Sequence, residues 1–220
     1  DFIVVGSGFT GLNVAIELKK KHPKSTVVVV DKNIHSSAAS TKNAGFACFG
    51  SPSELLFDIE LMGADVALEL LKNRIEGIKK IETLYGKENI DFRHCPANEW
   101  FLKSNASLYQ KVAEKLDWLN QLSNNAVGLN LYSIAPHHSP KSAFKPFASI
   151  SILGEGQLNP MKLHNLLLKR AEGLGIDLFS GFEVDSINGN GVTIKKDLHL
   201  KSDFVINCTN AFSSSFENIQ

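Results

Sequence analysis

The first 31 residues constrain this chain more than any other stretch. Phe2–Val5 is a short apolar run, and Gly6-Ser7-Gly8-Phe9-Thr10-Gly11 matches G-x-G-x-x-G. Leu12, Ala15, Ile16 and Leu18 then lie at helical spacing. Lys19, Lys20 and Lys21 complement the dipole at the helix end, and Pro23 stops it. Thr26–Val30 is four valines after a threonine, the pattern of a parallel strand buried on both faces. Asp31 follows, twenty positions after Gly11. Each glycine has a mechanical reason. The first makes the tight turn, the second lets a pyrophosphate approach the backbone, and the third lets helix and strand pack closely. Free N–H groups at the helix N-terminus then face the phosphates. The hexapeptide alone is weak evidence, but strand, glycine turn, helix, strand and acid in this order are the full context of a dinucleotide-binding βαβ unit. Asp31 is expected to accept hydrogen bonds from the adenosine ribose hydroxyls. The competing reading makes it a strand-end carboxylate that caps the next turn.

The motif does not separate FAD from a nicotinamide dinucleotide. The segment after Asp31 does more. Ser36 to Phe46 is built from small and polar residues where a nicotinamide dehydrogenase continues with a compact helix and strand. Small side chains let the backbone lie against a flat ligand. Ser40, Thr41 and Asn43 can donate hydrogen bonds, and Lys42 is a cation placed to favour negative charge on a reduced flavin. FAD is the cofactor this favours.

Composition narrows the class. Of 220 residues, 43% are hydrophobic and 21% charged, with 23 basic against 23 acidic side chains, so no net charge draws the chain to nucleic acid or an anionic membrane. The three cysteines, Cys48, Cys95 and Cys208, form no CxxC pair and no metal-ligand spacing; a sparse, odd count fits a reduced cytoplasm. No metal site is expected. No signal peptide is evident, and no apolar run approaches the roughly 20 residues of a membrane span. The chain starts at Asp1 inside a strand and stops soon after another, so it is expected to be one part of a longer protein.

Further along, helices are expected at about Ser53–Leu71, Arg74–Tyr85, Ser107–Leu122 and, after the Asn159-Pro160 start, to about Leu174, with Gly175 ending it. Leu108, Val112, Leu116 and Leu119 read as one core-facing stripe. Strands are expected at Asn98–Lys103, Phe147–Leu153, Ile176–Phe179, Phe182–Ile187, Val192–Lys195 and Phe204–Asn207, with Leu198–Leu200 pairing on Val192–Lys195. Asn188-Gly189-Asn190-Gly191 is a hairpin turn.

Taken together, Gly6–Gly11, Asp31, Ser40–Phe46, Glu155-Gly156-Gln157-Leu158-Asn159-Pro160, Phe182-Glu183-Val184 and Thr209-Asn210-Ala211 resemble the D-amino-acid-oxidase-type family of FAD-dependent oxidoreductases. That family includes glycine, sarcosine and γ-glutamylputrescine oxidases. The resemblance spans nearly the whole chain. It implies that Gly6, Ser7, Gly8, Phe9, Thr10 and Gly11 hold the pyrophosphate, and that Asp31 and Lys32 flank ribose and adenine. It implies that Ser40, Thr41, Lys42, Asn43, Ala44, Gly45 and Phe46 run toward the isoalloxazine. Val184 would meet adenine through its backbone, and Thr209, Asn210 and Ala211 would close over the phosphates. The sequence departs from the family in having Asp31 where Glu is commoner, and Ala211 where the closing turn usually has glycine. The family also places a further flavin-binding glycine loop beyond the point where this chain stops.

The expected fold is α/β: a Rossmann-like, three-layer FAD-binding domain over 1–85 and 155–220, with an inserted α+β substrate domain over 86–154. The implied activity is oxidation of the C–N bond of an amino acid or amine, with hydride passing to flavin N5 and oxygen or another acceptor reoxidising the flavin. No catalytic side chain is singled out, since flavin chemistry of this kind needs no dedicated acid or base. Alternatives are an NAD(P)-dependent dehydrogenase and a non-catalytic flavin-binding module. A nucleoside-modifying relative is disfavoured by the neutral charge. His137-His138 reads as exposed loop, Cys48 as a buried thiol rather than a covalent flavin link, Cys208 as core filler, and Trp100 and Trp118 as structural.

Overall fold

A computed structural model describes residues 1–34, 38–135, 146–195 and 197–216. In chain order its elements are β1 (Phe2–Val5), α1 (Phe9–Lys21), β2 (Val27–Asp31), β3 (Phe46–Ala47), α2 (Pro52–Met62), α3 (Ala64–Tyr85), β4 (Arg93–His94) and β5 (Ala97–Phe101). There follow α4 (Ala106–Glu114), α5 (Leu116–Val127), β6 (Tyr132–Ile134), β7 (Ala148–Ile152), β8 (Gly156–Gln157), α6 (Pro160–Gly173), β9 (Asp177–Ser180), β10 (Val184–Asn188), β11 (Gly191–Ile194), β12 (Leu198–Lys201) and β13 (Phe204–Asn207). The fold is mixed α/β and divides into two compact units, Asp1–Ala44 with Asn159–Gln220, and Gly45–Leu158. No helix among the described residues is long and apolar enough to cross a membrane.

The first unit is built on a parallel sheet of order β13-β1-β2-β9. β1 is central: Phe2 to Val5 pair with Val27 to Val30 on one side and with Phe204 to Asn207 on the other. Alternation sorts the side chains by face. Ile3, Val5, Val28 and Val30 pack with Val184, Ile187, Val192 and Ile194 of the antiparallel sheet β10-β11-β12. Val4, Val27 and Val29, also buried, fall on the opposite face. There α1, with Leu12, Ala15 and Ile16 buried, and α6, with Leu163, Leu167 and Ala171 buried, pack on each other and on the strands. The result is three layers, helices on parallel sheet on small antiparallel sheet. Each fully buried Val, Leu or Ile contributes about 1.5–3 kcal/mol. The Asn188–Gly191 hairpin and the start of α6 form as expected, with the Asn159 side chain accepting from the amides of Met161 and Lys162.

The second unit holds the antiparallel sheet β5-β7-β6, the short ladder β3-β8-β4, and helices α2 to α5. Two expectations fail here. The helical break lies at Gly63, not near Asn73, because Gly63 takes φ +86°, which no helix admits. The expected helix over Ser107–Leu122 is interrupted at Lys115, which leaves Leu108 partly exposed while Val112, Leu116 and Leu119 are buried. Helices α2 and α3, which the sequence reading grouped with the N-terminal strands, pack with α4 and α5 inside this unit.

Glu155 is 5% exposed and anchors the turn before α2, accepting from the amides of Phe49 (3.0 Å) and Gly50 (3.4 Å). Desolvation outweighs those two bonds and pushes its carboxyl above the ordinary glutamate range. A raised native pKa means the folded chain keeps its proton when the unfolded chain has lost it. The contribution is therefore complete below the unfolded pKa and is lost as pH rises through the native one. Urea denaturation from about pH 4 to about pH 8 should show a decline in stability that flattens in Glu155→Gln. An identical slope in both proteins would refute the assignment.

Candidate functional site

The candidate site lies in the first unit, where β1 gives way to α1 at the carboxyl end of the parallel strands. Gly6 turns the chain with φ +106°, and a Cβ there would lie 2.6 Å from the Cys208 carbonyl oxygen. Gly11 is already inside α1, and a Cβ there would lie 1.8 Å from the Gly6 carbonyl oxygen. These two glycines let β1, α1 and the end of β13 converge. Gly8 is different. Its backbone is ordinary (φ −69°, ψ −178°), and among the described residues a Cβ would meet only the Ser40 side chain, with Oγ at 2.9 Å. One face of Gly8 thus meets nothing among the described residues but the Ser40 side chain.

The loop is held by side chains. Asp31 Oδ2 accepts from Ser7 N (2.7 Å) and Ser7 Oγ (2.8 Å), and Oδ1 accepts from Asn33 N (2.8 Å) and Asn33 Nδ2 (3.1 Å). These four bonds match the usual acceptor capacity of a carboxylate. Asp31 therefore ties the glycine loop to the turn after β2, the capping role that stood as its competing reading. Ribose hydroxyls would have to displace one of these donors. Phe9 N donates to Ser40 Oγ at 3.0 Å, so a hydroxyl from the loop after β2 satisfies one of the open amides at the start of α1. The amides of Gly8, Thr10 and Gly11 have no acceptor among the described residues.

Of the loop residues read as ligand donors, Thr41 Oγ1 donates to the Ala38 carbonyl at 3.1 Å. Asn43 Nδ2 donates to the carbonyls of Ala39 (3.1 Å) and Ser40 (2.8 Å). Both brace their own loop. Lys42 and Ala44 are exposed, whereas Gly45 and Phe46 belong to the second unit, where Phe46 pairs with Gln157. Lys32 Nζ stands 3.9 Å from Glu183 and 4.4 Å from the centroid of Phe212, so it gathers the start of β10 and the turn after β13. Val184 opens β10 and lies in the core. The expected turn at Thr209–Ala211 is shaped by Asn207, whose Oδ1 accepts from Thr209 N (3.1 Å) and Oγ1 (2.6 Å). Asn210 takes φ +53° as a short 3-10 helix begins.

Three residues near the loop carry roles that the sequence did not show. His164 on α6 is 1% exposed and its Nε2 lies 2.7 Å from the Ser7 carbonyl oxygen. Its position between Leu163 and Leu167 on the buried face of α6 was the available signal. Cys208, read as filler, presses its carbonyl on Gly6 and its Cβ toward Gly11, and burial pushes its thiol pKa up. Asn33 completes the set on Asp31. Cys48, expected to be buried, is exposed; what desolvation its thiol suffers, with the carboxylates of Glu155 and Glu54, raises its pKa and disfavours a reactive thiolate. His137-His138 lies outside the described residues.

The sequence profile of the FAD dependent oxidoreductase family matches residues 1–219. No curated protein sequence matches the chain. Among solved structures, L-amino acid deaminase from Proteus myxofaciens in complex with anthranilate superposes with TM-score 0.69 at 14% identity, covering 99% of this chain and 47% of that one. Glycine oxidase from Geobacillus kaustophilus gives 0.64 at 18%, covering 98% and 56%. L-α-glycerophosphate oxidase from Mycoplasma pneumoniae with FAD bound gives 0.58 at 17%, covering 93% and 52%. The chain thus spans about half the length of these structures. At such identities the superpositions speak for the fold, and the profile speaks for descent: the chain belongs to the D-amino-acid-oxidase-type family of FAD-dependent oxidoreductases.

Proposed function

We propose that the first unit binds FAD and that the protein oxidises the C–N bond of an amino acid or amine. One observation carries this reading. Among the described residues, the glycine loop presents the amides of Gly8, Thr10 and Gly11 without a partner at the N-terminus of α1, beside a Gly8 face that only the Ser40 side chain obstructs. A helix N-terminus with open amides suits a diphosphate. In this reading Gly6, Ser7, Gly8, Phe9, Thr10 and Gly11 hold the pyrophosphate. Asp31 stays on Ser7 or exchanges one donor for a ribose hydroxyl, and Lys32 and Val184 border the adenine. Ser40, Thr41, Lys42, Asn43, Ala44, Gly45 and Phe46 lead toward the flavin ring, with Thr209, Asn210 and Ala211 beside the phosphates. The second unit contributes to substrate binding. FAD supplies the hydride acceptor that no side chain can.

Glycine oxidase and L-amino acid deaminase, by name, act on amino acids, and this favours a C–N substrate. The glycerophosphate oxidase carries a different substrate class on a similar fold, so the choice needs measurement. The purified full-length protein should be yellow, and anaerobic mixing with amino acids, N-methyl amino acids or polyamines should bleach its flavin absorbance. A colourless protein that binds a nicotinamide dinucleotide instead would overturn the assignment. Bleaching by an α-hydroxy or polyol phosphate but by no amine would overturn the substrate class alone.

A further inference from the structure

The buried ring of His164 is not accounted for by packing alone. It sits 1% exposed on α6, tilted against Phe9 with ring centroids 6.0 Å apart, and its Nδ1 has no hydrogen-bond partner among the described residues. Burying an unmatched ring nitrogen is unfavourable, and a leucine of similar size would avoid it. What the ring does make is one bond, from Nε2 to the Ser7 carbonyl at 2.7 Å. A carbonyl oxygen has no proton to give, so Nε2 is the donor.

That bond has a directional consequence. The Ser7–Gly8 peptide is trans, so its C=O and N–H point in opposite directions. With the carbonyl of Ser7 drawn to α6, the amide of Gly8 must face away from α6. The preceding peptide is fixed as well, because Ser7 N and Oγ both donate to Asp31 Oδ2. Ser7 is therefore held on both of its peptide planes, by Asp31 on one side and His164 on the other.

We propose that His164 is a positioning residue for the phosphate loop: by holding the Ser7 carbonyl it orients the Gly8 amide as a donor to a diphosphate. The proposal rests on the dinucleotide reading of the loop. His164 touches no ligand; it acts through the Ser7–Gly8 peptide. Removing the donor frees that peptide to rotate, and loss falls on the diphosphate rather than on the nucleoside.

The test uses the full-length protein stripped of cofactor and titrated calorimetrically with FAD, with ADP, and with adenosine, which lacks the phosphates. His164→Leu should weaken FAD and ADP by about tenfold, with adenosine changed less than about twofold and melting temperature little altered. His164→Gln, whose amide can reach Ser7, should restore most of the ADP affinity, and His164→Asn, too short to reach, should not. If Leu proves unable to fold, the Gln and Asn pair carries the same comparison. Wild-type affinity for ADP in His164→Leu or His164→Asn, or parallel loss of ADP and adenosine, overturns the role of His164 and leaves the dinucleotide reading standing. Wild-type protein that binds neither FAD nor ADP overturns both.

Discussion

Gly11→Ala should destabilise the first unit by on the order of 3 kcal/mol, the upper range for an overpacked core site. The added methyl would stand 1.8 Å from the Gly6 carbonyl oxygen, where real Cβ atoms keep at least 3.0 Å, so α1 must retreat by more than an ångström. It cannot do so cheaply, because Leu12, Ala15 and Ile16 hold that helix in the core. The obstructing atom is backbone, not the end of a flexible side chain. For a protein of this size the loss corresponds to a fall in melting temperature of roughly 6–12 °C by calorimetry. Gly77→Ala is the control: Gly77 lies within α3 with nothing inside 4 Å of an added Cβ. That change should stabilise by about 0.5–1 kcal/mol. Equal melting temperatures for Gly11→Ala and wild type would show that the close approach at this corner is not what the geometry says.

Gly8→Val separates binding from folding. Valine is at home at φ −69° and ψ −178°, and among the described residues its Cβ would meet only the Ser40 side chain, which can shift at the cost of its bond from Phe9 N. The fold should survive. The branched side chain would fill the space beside Gly8, and FAD affinity should drop by about a hundredfold or more, on the order of 3 kcal/mol. A purified Gly8→Val protein that is folded and colourless supports the site; one that retains stoichiometric flavin refutes it. The two glycines thus give opposite signatures, lost stability at Gly11 and lost ligand at Gly8.

What could be read from the residues alone follows the reach of each interaction. The strand-turn-helix-strand start, the Asn159-Pro160 helix cap and the Asn188–Gly191 hairpin are local, and each formed where the pattern placed it. The break at Gly63 is set by a single dihedral inside an apolar stretch whose periodicity runs on undisturbed, so spacing alone misplaced it. Partners far apart in sequence were illegible. His164 lies 157 positions from Ser7, and no local pattern marks a helix histidine as the mate of a loop carbonyl. Asp31 stands out in the sequence by its place at the end of β2. That Ser7, at a variable position of the motif, and Asn33 would fill its carboxylate depended on three-dimensional closeness. The packing of α2 and α3 on α5 escaped for the same reason.

The place of β1 between β2 and β13 governs how this chain can be made. Its inner neighbour is available after some 25 residues, but its outer one, Phe204–Asn207, is about 200 residues downstream. At ordinary translation speeds that is a wait of roughly 10–40 seconds on the ribosome with one flank of an apolar strand unpaired. During that interval the nascent βαβ unit of β1, α1 and β2 presents a row of free amides and carbonyls to any passing strand. Chaperone engagement with the emerging polypeptide, and slow, aggregation-sensitive refolding from denaturant, are the natural companions of such a long-range closure.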